Sequence, residues 1–231
     1  MLKFSKQEKQ IGERIMEKFA KEREKNQRFN LVTFKELFAI LDSQEIKLLK
    51  KVLKIDPKKY GQNAPFIGVG PAPKNLVAIK NQREKSDYKN IKLPTQYLPR
   101  PVFDAFSRLN QAIKKDLGRK LNVYGYRSPA YQLVVLFRNI YFANWRVKEA
   151  LKKVLAVGYS QHSDPKFTAV DFALQKSNKK RNFSPLFSET KEYKWLQKNA
   201  GKFGFFLSYP RGNKSGVMFE PWHWRYKKPQ A

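Results

Sequence analysis

The sequence predicts an α+β fold, and three observations carry that prediction. Helical periodicity fills the first sixty residues and returns strongly over Pro101–Leu117. Strand-like alternation, rich in branched and aromatic residues, is concentrated late in the chain, at Thr168–Leu174, Phe203–Tyr209 and Val217–Tyr226. Helices first and antiparallel strands afterwards describe a small antiparallel sheet with flanking helices.

In the N-terminal stretch, Ile11, Ile15 and Phe19 recur every four residues and so share one stripe of a helix. Thr33-Phe-Lys-Glu36 and Asp42-Ser-Gln-Glu45 have the spacing of capping boxes, each followed by an apolar helical run. Asp56-Pro57 starts a further turn. Residues 1–60 therefore read as a small basic helical region, with a domain border near Gly61 and a second domain over 61–231. From Tyr60 to Pro101 glycines and prolines mark a loop-rich stretch, with Leu76–Ile79 as a short strand. Val102, Phe106, Leu109 and Ile113 line one side of the next helix, which Gly118 ends. Leu121–Tyr126 reads as a strand, followed by helices around Leu133–Ile140 and Val147–Val154. Ser188 is the expected cap of a helix containing Tyr193, Trp195 and Leu196, and Pro210–Gly216 the loop between the last two strands.

Composition narrows the function classes. Lys and Arg number 48 against 19 Asp and Glu, a net charge of +29, which predicts a polyanionic partner or surface, or a generally solubilising one. The absence of cysteine excludes disulfides and thiolate metal sites. No apolar run is long enough to span a bilayer, and the charged N-terminus has no apolar core of a secretory signal.

The two histidines, His162 and His223, are the only ones in the chain. A hydrolytic zinc site takes three His or Asp/Glu ligands and leaves a fourth position for water, while a nearby carboxylate moves the proton. His162, Asp171 and His223 can supply the ligands and Glu220 the base. Residues three apart on a regular strand face opposite ways, so Glu220 and His223 can share a centre only if the strand is interrupted between them. Pro221, which cannot donate a ladder bond, predicts that interruption. Trp222 and Trp224 are then expected to pack on the face opposite His223.

These stretches resemble the VanY-type D-alanyl-D-alanine carboxypeptidases, zinc peptidases of peptidoglycan that share a metal-site fold with lysostaphin-type peptidases and the hedgehog signalling domain. Tyr126-Arg-Ser-Pro-Ala-Tyr-Gln132 resembles the family's substrate-binding block. Ser160-Gln-His162 with Ala169-Val-Asp171, and Glu220-Pro-Trp-His-Trp-Arg-Tyr226, resemble its two metal blocks. The resemblance spans roughly Leu93–Lys227 and implies a zinc metallopeptidase domain over residues 61–231. It implies that His162, Asp171 and His223 bind Zn2+, that Glu220 activates water, and that Arg127 holds the substrate carboxylate with help from Ser128, Gln132 and Ser160. The arginine fork suits that task, since it can engage a carboxylate through two parallel bonds. The chain departs from the family in its longer, glycine-free loop Ser163–Thr168, which must bulge outward and which offers Asp164 as a rival ligand.

The resemblance thus implies a carboxypeptidase removing terminal D-alanine from peptidoglycan stem peptides, acting as a monomer in the cell envelope, periplasm or outside the cell. No nucleic-acid partner is expected, and the basic surface is expected to favour an anionic envelope polymer. Two alternatives remain open at this level: an endopeptidase using the same zinc site, and a basic nucleic-acid- or wall-polymer-binding protein with a non-catalytic site.

Overall fold

The structure, a computed structural model, describes residues 1–85, 90–177 and 181–228. Its contacts group into two compact units, the first made of Met1–Ala72, Arg127–Ser163 and Asn213–Met218, the second of Pro73–Tyr126, Asp164–Gly212 and the chain from Phe219 on. Residues 1–60 thus fall wholly in the first unit, together with two later stretches.

The first unit is helical: α1 (Lys6–Lys25), α2 (Phe34–Ala39), α3 (Ser43–Leu53), α5 (Pro129–Phe142) and α6 (Val147–Leu151). All three N-terminal helices begin with reciprocal capping boxes, Ser5 with Glu8, Thr33 with Glu36 and Asp42 with Glu45, so two orphan amides are satisfied at each start. The expected stripe Ile11, Ile15 and Phe19 is buried and meets Leu48, Leu49 and Val52 of α3 and Leu133, Phe137 and Ile140 of α5 in one core. Phe19 and Phe137 meet edge to face at 6.2 Å, the arrangement their ring quadrupoles favour. Glu45 is fully buried yet not isolated, because its carboxylate takes Lys18 Nζ at 2.6 Å and the Asp42 amide at 2.9 Å. α6 stops at Leu151, short of the expected Val154, although Val154 is still buried in the core.

The second unit is built on a four-stranded antiparallel sheet of order β5-β6-β8-β7, with β5 Leu121–Tyr124, β6 Ala169–Leu174, β7 Phe205–Leu207 and β8 His223–Tyr226. Leu121 and Val123, Val170, Phe172 and Leu174, Phe205, and Trp224 and Tyr226 share a core with α4 (Arg100–Leu117) and α7 (Lys191–Asn199). That core face leaves Asp171, His223 and Arg225 on the other side of the sheet, since side chains alternate. Three strand segments are shorter than their apolar patterns suggest: Phe203 ends a 3-10 turn, Tyr126 lies past β5, and β8 begins only at His223. Thr190, not Ser188, caps α7, because Ser188 lies within the 3-10 turn Pro185–Glu189.

The expected strand Leu76–Ile79 is β1, pairing antiparallel with β4 (Gln96–Pro99). β2 (Arg83–Lys85) and β3 (Asn90–Lys92) form a second small ladder in a stretch whose mostly exposed side chains give no alternation to read. At the end of β5 the backbone presses close: a Cβ on Gly125 would meet the Tyr97 carbonyl oxygen at 2.3 Å, while the next amide, Tyr126 N–H, donates to that oxygen at 2.7 Å.

Truncating Phe137 to Ala removes a wholly buried ring and is expected to destabilise the protein by about 3–5 kcal/mol. Asp42→Ala, which removes a cap and an exposed ion pair with Arg14, should cost about 1 kcal/mol. Urea unfolding of the two variants checks both values and their order.

Candidate metal centre

Each ligand candidate is placed by a different local device. His162 sits in the 3-10 turn Gln161–Ser163, and its carbonyl accepts the Arg127 amide at 3.1 Å. Asp171 lies in the middle of β6, directly opposite His223 on β8, so their side chains emerge on the same face. Between Glu220 and His223 the chain makes a turn: the His223 amide donates to the Glu220 carbonyl at 3.1 Å, with Pro221 at the second position. Trp224 Nε1–H closes the turn by donating to the Pro221 carbonyl at 2.9 Å. Pro221 therefore interrupts the strand as its chemistry requires, and Glu220 and His223 approach one another. Trp222 and Trp224 both pack into the apolar core behind.

The ligand atoms of His162, Asp171 and His223 lie within 4.8 Å of one another, and all three residues are buried. His223 Nδ1 is 2.8 Å from Asp171 Oδ1 and 3.8 Å from Glu220 Oε2. Two buried carboxylates beside one imidazole concentrate negative charge where water is scarce, an environment that favours a cation. Two imidazoles and a carboxylate are a donor set that suits zinc with one position open.

The substrate-side candidates divide. Arg127 is half-buried, immediately before α5. Ser128 is buried as the N-cap of α5, its hydroxyl donating to the Val32 carbonyl at 2.6 Å and accepting the Tyr131 amide at 3.1 Å. Gln132 is buried and donates to the Leu155 carbonyl at 2.7 Å. Ser160 is buried and its carbonyl accepts the Ser163 amide at 2.9 Å.

Two residues carry weight that the sequence did not signal. The Tyr209 ring packs on the His223 imidazole, with centroids 4.8 Å apart, and the Tyr209 carbonyl accepts the Glu220 amide at 3.1 Å. One residue thus braces both His223 and Glu220. Arg225 stands two residues after His223 and directly opposite Ala169, and its Nη2 donates to Asp164 Oδ2 at 2.6 Å. Asp164 Oδ1 accepts the amides of Lys166 and Phe167, both at 2.9 Å. Both oxygens of this carboxylate are engaged in shaping the loop, and Asp164 is not part of the ligand group. Pro165, Lys166 and Phe167 are exposed, the outward bulge that the longer loop requires.

Burial, with the Asp164 carboxylate adding to it, pushes the Tyr126 phenol up to about 12. A raised folded value means the neutral phenol contributes stability that is complete below about pH 10 and is lost as pH rises towards 12. Wild type should therefore lose more stability than Tyr126→Phe between pH 9 and 12. Parallel denaturation curves of the two proteins across that range would refute this.

A family model described as D-alanyl-D-alanine carboxypeptidase, VanY, matches residues 95–229, more than half of the chain. YodJ of Bacillus subtilis (strain 168), described as a carboxypeptidase, is 28% identical over 209 residues, covering 82% of this chain and 70% of that protein. A D-alanyl-D-alanine carboxypeptidase of Enterococcus faecium is 29% identical over 133 residues, covering 56% of this chain and 37% of its own length. Among solved structures, the LdcB LD-carboxypeptidase shares the fold with a TM-score of 0.52 at 24% identity, over 73% of this chain and 85% of that one. The converging histidines and aspartate lie inside the matched span, and the chain belongs to the VanY family of D-alanyl-D-alanine carboxypeptidases, zinc metallopeptidases that act on peptidoglycan.

Proposed function

We propose that this chain removes a terminal D-alanine from peptidoglycan stem peptides, using zinc held by His162, Asp171 and His223. The observation that carries this reading is the approach of these three buried ligands to within 4.8 Å, with Glu220 Oε2 3.8 Å from the imidazole of His223. Zinc bound there would polarise the scissile carbonyl and lower the pKa of a water. Glu220 takes a proton from the attacking water as its oxygen bonds to the carbonyl carbon. It then delivers a proton to the leaving amine as the C–N bond breaks. Its burial, together with the Tyr209 brace, keeps that carboxylate in one place between the two transfers. Arg127 engages the free carboxylate of the stem through its guanidinium fork, which selects a chain end over an internal bond. Ser128 and Gln132 serve it by position, since the first caps α5 and the second ties that helix to Leu155. Ser160 supports His162 through the turn that its carbonyl closes. Peptidoglycan as substrate places the working protein at the envelope or outside the cell.

Glu220→Gln should retain zinc at the wild-type stoichiometry while kcat falls by about 10^2–10^4. Near-normal turnover in that variant would remove Glu220 from the mechanism. Arg127→Lys keeps the charge but loses the fork, and should raise KM by about 10- to 100-fold. Mass spectrometry of digested muropeptides tests the reaction: loss of a terminal alanine supports the carboxypeptidase, whereas monomers released from cross-linked dimers would overturn it in favour of an endopeptidase.

A further inference from the structure

We propose that the outer edge of β5 carries a second binding site, a cationic groove for a phosphodiester-linked polyanion of the envelope. The groove has a volume of about 580 Å3 and is bordered by Lys80, Arg83, Lys85 and Lys120. Among the described residues no Asp or Glu lines it, and neither do the metal-centre residues. Some cations elsewhere are neutralised locally, as in Lys18–Glu45, Lys51–Glu8, Arg100–Asp104, Arg119–Glu192 and Arg225–Asp164. Lys80, Arg83, Lys85 and Lys120 make no such pair with a carboxylate among the described residues. A concave wall of one sign focuses its field on whatever enters.

The floor is rigid. Gln82 bonds Val123 twice, Nε2–H donating to its carbonyl at 2.9 Å and Oε1 accepting its amide at 2.7 Å. Asn110 treats Leu121 in the same way, at 2.9 and 2.8 Å. Asn122 donates to the Arg83 carbonyl at 2.8 Å and so fixes the backbone of one of the four cations. The side-chain amides complete the open edge of β5 as a neighbouring strand would, and the cations stand on that fixed base.

The lining also selects among polyanions. Single-stranded nucleic acids bind by stacking bases on exposed aromatic rings as well as through charge. Among the described lining residues the one aromatic, Phe106, is 5% exposed and offers no such platform. Three lysines and an arginine without a ring suit a polymer whose recognisable feature is its phosphates alone, such as a polyol phosphate.

The test is titration of the full-length protein with poly(glycerol phosphate), at several salt concentrations. Lys80→Glu/Lys120→Glu is compared with Lys47→Glu/Lys50→Glu, which makes the same charge change on α3. The groove variant should bind roughly tenfold more weakly and lose about one unit of salt slope for each lysine replaced, while the α3 variant stays within about twofold of wild type. Equal losses in the two variants, or none in either, would overturn the site. Tighter binding of a single-stranded oligonucleotide with the same number of phosphates would overturn the ligand. Cleavage of a soluble stem peptide, unchanged in both variants, shows that they are folded and keeps this outcome separate from that of the peptidase reading.

Discussion

Asp171 and Glu220 hold two carboxylates against one imidazole, with all three residues buried. Burying charged or polar groups is costly unless they are paired or hydrogen-bonded, so this cluster has to be held in place. The local structure is arranged so that these groups cannot drift apart. β6 and β8 set Asp171 opposite His223 in register, where a slip of one residue would turn one of them into the apolar core. The turn at Pro221 brings Glu220 round to the same imidazole, and Tyr209 braces Glu220 through its carbonyl and His223 through its ring. His162, Asp171 and His223, held this way, are a donor set that suits zinc with one position open.

Much of this was legible in the sequence because it rests on local chemistry. Pro221 between Glu220 and His223 could be read as an interruption from the missing amide alone, and the bond from His223 to the Glu220 carbonyl is its geometric form. The boxes at Thr33 and Asp42 were readable for the same reason, since cap and partner lie three residues apart. Tyr209 was not readable. Its contact with His223 depends on the register of β7 against β8, which the expected loop at Pro210–Gly216 does not set. β2 and β3 were missed because their mostly exposed side chains carry no alternation, and Ser188 was mistaken for a cap because a 3-10 turn intervenes before Thr190.

The loop after His162 shows how an insertion can be accommodated without disturbing ligands on either side. Its length would leave it free to wander, but Asp164 gathers it with three bonds, two to loop amides and one from Arg225. Arg225 is itself anchored opposite Ala169 on the strand that starts with His223. The clamp therefore ties the loop to the ligand-bearing sheet rather than to solvent. It also accounts for Asp164 as a carboxylate near the metal residues that does not join them, because its oxygens already have donors. The clamp uses only the backbone of Lys166 and Phe167, so the exposed side chains of Pro165, Lys166 and Phe167 can vary while it stays in place.

β5 carries the same logic in the opposite sign. On its inner side it pairs with β6 and sets Tyr124 directly beside Asp171. On its outer side the amides of Gln82 and Asn110 complete its edge. Lysines along an exposed edge would by themselves be explained as protection against pairing with another chain. That explanation does not suffice here, because the edge is already closed by those amides and has no ladder positions left to protect at Leu121 and Val123. Nor does edge protection require the charges to surround a hollow. Cations around a concavity, unpaired among the described residues and set on a hydrogen-bonded floor, have the features of a receptor for anions, as two carboxylates around an imidazole have those of a receptor for a metal.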